Sequence, residues 1–148
     1  VGIKKILPQA RTEEILFQTL KDETLIYDLK RHKAHCLNRT AALIWNNCDG
    51  RTTVAEMAES LSRELNEPVD EEVVWLALNQ LSNAKLIEDK ATGMDNAPRL
   101  SRRELVRKIG VGAAITLPLI TSVLAPEAAQ AVSCIPEGGV CDDKASCC

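Results

Sequence analysis

The stretch from Leu37 to Val54 constrains this chain more than any other. Leu37-Asn38-Arg39-Thr40-Ala41-Ala42-Leu43-Ile44-Trp45 reads as the end of a strand passing into a short buried helix. Cys48-Asp49-Gly50-Arg51-Thr52-Thr53-Val54 then reads as a tight turn into a second helix. Asn38 is suited to cap the first helix, its side-chain oxygen accepting from a free backbone N–H. Gly50 is suited to the positive φ that closes a helix, since it has no Cβ to clash. Thr53-x-x-Glu56 has the spacing of a capping box, in which hydroxyl and carboxylate each satisfy an amide at a helix start. None of these roles is catalytic.

The flanking sequence supplies a sheet before this stretch and helices within and after it. Residues 1–10 show no sustained period and read as a loose lead-in. Ile15 to Leu20 is a strand candidate, Lys21 to Thr24 a polar turn, and Leu25 to Leu29 a returning strand. Arg31-His32 makes a second corner before a short third strand, Lys33-Ala34-His35-Cys36-Leu37. Three short antiparallel strands do not bury both faces by themselves, so helices must cover one. The first helix spans roughly 39–47. The second carries Val54, Met57, Ala58, Leu61 and Leu65 at helical spacing and ends at Asn66-Glu67-Pro68. Asp70 is a candidate cap for a third helix reaching Asn83, with Glu71 and Glu72 in its first turn, where negative charge complements the dipole. The chain is thus expected to be α+β, a winged-helix-like domain of three antiparallel strands followed by three helices, with a flexible or helical C-terminal tail.

The third helix is apolar over an unusually wide arc. Val74, Ala77, Leu78 and Leu81 form the expected core stripe. Val73 and Leu76 widen it on one side, and Trp75 lies beyond it on the other. Two readings fit: a helix tucked between the sheet and its neighbours, or a surface that awaits a partner. Lys85-Leu86-Ile87-Glu88 adds a short extended coda.

Charge and cysteine placement narrow the chemistry. A net charge of −3 and 3% aromatic residues argue against a nucleic-acid surface, which needs a basic face and stacking platforms. A nucleic-acid-binding winged helix would need a basic third helix, and this one opens on Asp70, Glu71 and Glu72. His32, His35, Cys36 and Cys48 do not make a metal site, because His35 and Cys36 face opposite ways along a strand and no Cys-x-x-Cys exists. Cys36 and Cys48 read as buried thiols acting as small apolar groups. Neither histidine has an evident nucleophile partner, so no catalytic residue, cofactor or metal is expected.

Taken together, Leu37-Asn38-x-Thr40, Ile44-Trp45-x-x-Cys48-Asp49-Gly50 and Thr53-Val54-x-Glu56 resemble the pyrroloquinoline-quinone biosynthesis protein D (PqqD) family over residues 11–90. The ending Leu81 to Ile87 is similar too, with Ala84-Lys85 where the family frequently has glycine. The resemblance implies a recognition element of ribosomal-peptide modification: a peptide-binding chaperone, not an enzyme. It implies that a precursor's leader adds as a strand to the third strand, here Lys33, Ala34, His35, Cys36 and Leu37, and settles against Val73, Leu76, Trp75 and Gln80 of the third helix. Main-chain hydrogen bonds would supply affinity and alternate pockets would supply choice. The implied partners are a leader peptide, in trans or in cis, and a peptide-modifying enzyme, with a radical-type enzyme as one candidate.

The C-terminal third has a different grammar. Residues 91–100 are a linker by composition. Ser101-Arg102-Arg103-Glu104-Leu105-Val106-Arg107-Lys108, an uncharged run from Ile109 to Ala125, and Ala129-Gln130-Ala131 follow in the order of an export signal. Arg102 and Arg103 give it the look of a twin-arginine translocation signal, with Ala129 and Ala131 as candidate cleavage residues. The run is short of the ~20 residues of a spanning helix and contains Pro118. Its position after a domain leaves four readings of 101–131: an internal signal in contact with membrane or translocase, a signal-like motif reused as a leader, a membrane-lying helix, or an amphipathic or unstructured connector. Residues 132–148 carry Cys134, Cys141, Cys147 and Cys148, candidate disulfide partners whose spacing resembles the opening of a knottin-like mini-protein. Four cysteines allow three pairings, and adjacent Cys147 and Cys148 are poorly placed to join each other. Cys36 and Cys48 suit a reducing compartment and the tail an oxidising one, so residues 1–98 are expected in the cytoplasm and the tail is a candidate for export.

Three functions compete on this sequence. One is a recognition domain, in one variant fused to its own leader and core. A second is the precursor of an exported disulfide-rich peptide, with residues 1–98 as a folded pro-region. A redox enzyme using Cys147-Cys148 is the third, and Asp142-Asp143 supply the opposite of the basic setting a reactive thiol needs.

Overall fold

The computed structural model describes residues 7–88, 98–109 and 117–124. Its elements are β1 (Ile15–Thr19), β2 (Glu23–Asp28), β3 (Lys33–Asn38), α1 (Arg39–Asn46), α2 (Val54–Leu65), α3 (Glu71–Asn83), α4 (Arg102–Ile109) and β4 (Ile120–Leu124). The architecture is α+β, as expected, but the sheet holds four antiparallel strands in the order β1-β2-β3-β4 rather than three, and a fourth helix joins the first three. The additional strand and helix both come from the stretch read as an export signal.

Local chemistry accounts for the helix starts. Asn38 caps α1, its side chain accepting from Ala41 N–H at 3.0 Å. Thr53 and Glu56 form the complete capping box of α2. Asp70 takes the extended cap conformation at α3, yet its side chain makes no capping hydrogen bond. Gly50 does not close α1: Asn47 is the C-cap in right-handed conformation, and Gly50 takes its positive φ of 73° beyond the helix end. There its N–H donates to Pro8 O, and Asp49 accepts from the N–H groups of Arg51 and Thr52. The lead-in is therefore engaged over its last residues, with Gln9 bridged to Asp49 and Ala10 to Ile87. The first hairpin is tighter than expected, since β2 begins at Glu23 and Leu20 N–H donates to Glu23 O.

The end of α3 explains the Ala84-Lys85 departure. Leu86 N–H reaches back to Leu81 O, and Lys85 takes a φ of 58°. This is the closing turn that glycine accommodates without a Cβ penalty. A lysine there holds a left-handed conformation that glycine would adopt more readily.

Ile26, Leu37, Ile44, Met57, Leu61, Leu78, Leu81 and Leu86 are the large apolar side chains at the centre of the core. Trp45 joins it and donates from Nε1 to Leu86 O, while Phe17 of β1 meets its ring edge-on at 5.4 Å. Inward-facing Asp28 is fully buried, paired with Arg11 at 2.7 Å and Arg31 at 3.2 Å. Burial alone would raise its pKa. The hydrogen bonds from Arg11 and Arg31 outweigh that and hold it below the usual carboxylate range.

The wide apolar arc of α3 is covered. Val73 and Leu76 are buried in one cluster with Leu105 of α4 and Leu117. α1, α2 and the later α4 all pack on this helix, so part of its cover comes from a later segment of the same chain. Trp75, on the other side, is half-buried against the core.

Candidate functional site

The site is the edge of β3 together with the flank of α3. In a twisted antiparallel sheet an outer strand offers every second N–H and C=O to a newcomer. Here the newcomer is β4, in the register Leu37↔Ile120, Cys36↔Thr121, His35↔Ser122, Ala34↔Val123 and Lys33↔Leu124. Asn38 N–H donates to Leu119 O at 3.1 Å, so alternation makes Cys36↔Thr121 and Ala34↔Val123 the hydrogen-bonded pairs. His35↔Ser122 is then a close, non-hydrogen-bonded pair, and its side chains meet, His35 Nδ1 lying 2.7 Å from Ser122 Oγ.

Two amide side chains fasten the entrance of this strand. Asn38 accepts from Leu119 N–H at 3.0 Å and donates from Nδ2 to Leu117 O at 2.8 Å. Gln80 accepts from Ile120 N–H at 3.0 Å and donates to Pro118 O at 3.1 Å. Each amide thus reads one donor and one acceptor of an extended backbone, a pattern that any sequence with a free N–H at those positions satisfies. Arg102 adds a longer bond to Pro118 O at 3.3 Å.

Side-chain selectivity is confined to few positions. Leu105 and Leu117 enter the core, and Ile120 packs against it. Val123 and Leu124 are 63% and 77% exposed. The α4 helix that delivers Leu105 has its own capping box, Ser101 and Glu104, with Ser101 N–H donating to the Glu104 carboxylate at 3.0 Å and Glu104 N–H to Ser101 Oγ at 3.2 Å. Those bonds, led by the Ser101 N–H, lower the Glu104 pKa.

The residues singled out from sequence fall as follows. Lys33, Ala34, His35, Cys36 and Leu37 form β3 and pair with β4 throughout. His35 and Leu37 point into the core, whereas Cys36 lies half-buried on the opposite face beside Glu23. Burial, reinforced by the Glu23 charge, raises the Cys36 pKa. Burial, with Asp49 adding to it, pushes the Cys48 thiol up to about 12, as befits a group donating to Ile44 O inside the core. Both settings disfavour a thiolate. Only Cys48 is the fully enclosed thiol expected of both. Gln80 touches the segment directly, Val73 and Leu76 share its core cluster, and Trp75 is partly buried against that cluster. Arg102 and Arg103 open α4. Ala129, Ala131, Cys134, Cys141, Cys147 and Cys148 lie outside the described residues.

Sequence reasoning missed the second role of Asn38, the anchors Leu105 and Leu117, and β4 itself. Two signals were present: Ser101-x-x-Glu104 matches a capping box, and Ile120-Thr121-Ser122-Val123-Leu124 is rich in β-branched residues. Among the described residues, no helix is long and apolar enough to cross a membrane.

The chain matches no curated protein and no solved structure at a significant level. Residues 23–87, from the start of β2 to the segment that follows α3, match the family model described as Coenzyme PQQ synthesis protein D (PqqD), so this stretch is similar to that family.

Proposed function

We propose that residues 11–90 are a recognition domain that captures the leader of a precursor peptide by strand addition and assists a peptide-modifying enzyme, and that the leader is carried in cis by residues 101–124. The observation behind this reading is the antiparallel ladder of β4 on β3, fastened by Asn38 and Gln80. The family match supports the recognition half: it covers the receiving strand and all three helices beside it, and leaves out both α4 and β4. In this scheme main-chain bonds hold the leader, Leu105 and Leu117 identify it, and the residues after Leu124 are what the enzyme receives.

Carrying the leader in cis changes the affinity the groove needs. A short linker converts binding into an intramolecular event at an effective concentration in the millimolar range, so a weak ladder suffices. The domain would work in the cytoplasm, where Cys36 and Cys48 stay reduced, and the cysteines of the tail would await a later, oxidising step.

The test is Thr121→Pro in the full chain. It deletes the N–H that bonds to Cys36 across the ladder while leaving the core of the recognition domain untouched. Amide exchange of Ala34, Cys36 and Asn38 should accelerate at least tenfold, and an added peptide covering residues 99–124 should restore protection. Unchanged exchange at those amides, or a released groove that ignores the peptide, would overturn the reading.

A further inference from the structure

The four-stranded sheet has two edges, and they are guarded unequally. At one edge β4 turns its Ile120 N–H outward, and Gln80 of α3 accepts it at 3.0 Å. At the other edge stands β1, Ile15-Leu16-Phe17-Gln18-Thr19, which no further strand covers among the described residues. Edge strands are commonly blunted by charge or proline against pairing with another chain, and β1 carries neither. Its Leu16 and Phe17 are instead 59% and 62% exposed.

The hydrogen bonds at the two ends of the β1–β2 hairpin fix which backbone groups are free. Leu20 N–H donates to Glu23 O, and Leu29 N–H donates to Glu14 O. Alternation then makes Leu16↔Tyr27 and Gln18↔Leu25 the hydrogen-bonded pairs in between. The N–H and C=O groups of Ile15, Phe17 and Thr19 therefore point away from β2, toward the open edge. These three residues are spaced evenly about Phe17. A second β1 laid antiparallel on the first, with a two-fold axis at Phe17, sets Phe17 opposite its copy and Ile15 opposite Thr19. Every outward donor then meets an outward acceptor.

The side chains suit the same arrangement. Phe17 meets Trp45 edge-on at 5.4 Å on the helix-bearing face, so the two Phe17 rings come together there and lose the exposure each has alone. Glu13 and Glu14 precede β1, and Lys21 and Asp22 follow it. Antiparallel pairing sets Lys21 of each copy beside the acidic pair of the other, whereas a parallel pair would set the two acidic pairs together.

We propose that β1 is a self-association edge: two copies of this chain pair β1 to β1 about Phe17 and form one continuous eight-stranded sheet. A two-fold contact of this kind uses the same edge on both copies, so association closes at the dimer. The two β4 strands then lie at the outer margins, seven inter-strand steps apart, roughly 33 Å at the usual spacing. Both receiving grooves stay accessible, and the dimer does not depend on β4 being a leader. A strand pair this short belongs with the smaller, transient interfaces of under about 1,200 Å², so the dimer forms in the micromolar-to-millimolar range.

Sedimentation equilibrium of the full chain from micromolar to millimolar concentration reads the stoichiometry, and amide exchange over the same range reads the surface used. The expected result is a monomer–dimer equilibrium in which Ile15, Phe17 and Thr19 gain protection with concentration. Leu16 and Gln18, bonded to β2, stay protected throughout and report an intact hairpin. Phe17→Lys puts two like charges at the axis and should weaken the dimer at least about tenfold, with Leu16 and Gln18 still protected. Thr19→Pro deletes one outward N–H and should weaken it as well. A chain that stays monomeric at millimolar concentration overturns the proposal, as does a dimer in which Ile15, Phe17 and Thr19 exchange as fast as in the monomer. Protection of those three amides by an added peptide covering residues 117–124, without self-association, also overturns it and makes the edge a second peptide groove.

Discussion

The receiving domain and the segment laid against it are held by different physics. Residues 7–88 cohere through side chains: Leu37, Ile44, Met57, Leu61, Leu78 and Leu81 are sealed from solvent. Residues 117–124 are held chiefly by backbone bonds, with the exposed Val123 and Leu124 contributing little burial. Leu105 and Leu117 carry the docked part into the core, and Ile109 and Ile120 pack against it. Burial cohesion is cooperative and hard to lose in part, whereas an edge ladder opens locally at low free energy. The contrast separates a framework that must stay folded from an occupant that must be able to leave.

Leu78→Ala should break the framework first. A sealed leucine reduced to alanine costs about 2–5 kcal/mol, enough to lower the denaturation midpoint of the whole domain. Leu105→Ala removes a side chain that is just as sealed, but one on the docked segment. Its effect, about 2–3 kcal/mol, should appear as faster exchange at Asn38 and Ile120 with the midpoint of the domain barely moved. A common loss of protection throughout both regions would mean that they fold as one unit, and the contrast would fail.

Acid should separate the regions more gently. Burial lowers the His35 pKa, with Lys33 and Arg11 acting in the same direction and Asp28 opposing them. The unfolded chain therefore takes up a proton as pH falls below about 6.5, while folded His35 resists, and stability declines from that point downward. Asp28 also has a lowered pKa, so its contribution is present above about 3.8 and is lost only as pH falls further. His35 sits under the β3–β4 pair, so protection of β4 should weaken in the first window and the domain in the second. A single transition at the lower pH would contradict this. The smallest expected effect belongs to Lys108→Ala. Its 2.6 Å pair with Glu72 links α4 to α3, but Lys108 is exposed and Glu72 only half-buried, and such solvent-screened pairs contribute little. Measurable undocking in that variant would show that charge, rather than Leu105, holds α4.

Much of the receiving domain was legible in the sequence, and the docked segment was not. Asn38, Thr53 and Glu56 announced two helix starts because caps act on amides within three residues. Gly50 was misassigned because a positive φ is visible in composition, whereas the turn that uses it depends on Pro8, distant in sequence. The excess apolar width of α3 was correctly seen as needing cover, yet nothing local said whether a partner or the same chain would supply it. Arg102 and Arg103 drew the eye to export chemistry, while Ser101 and Glu104 beside them were quietly starting a helix.

The sequence by itself determined the first three helices, the N-caps of the first two, the first three strands and the acidic character that speaks against nucleic acid, since each follows from neighbours a few residues apart. Only the tertiary structure decided that Ile120–Leu124 pairs with Lys33–Leu37, that Asn38 serves a helix and a strand at once, and that His35 meets Ser122. The reason is physical. An edge strand offers the same backbone groups to any extended segment, so the choice of occupant rests on a few distant side chains and on the chain length that brings them within reach.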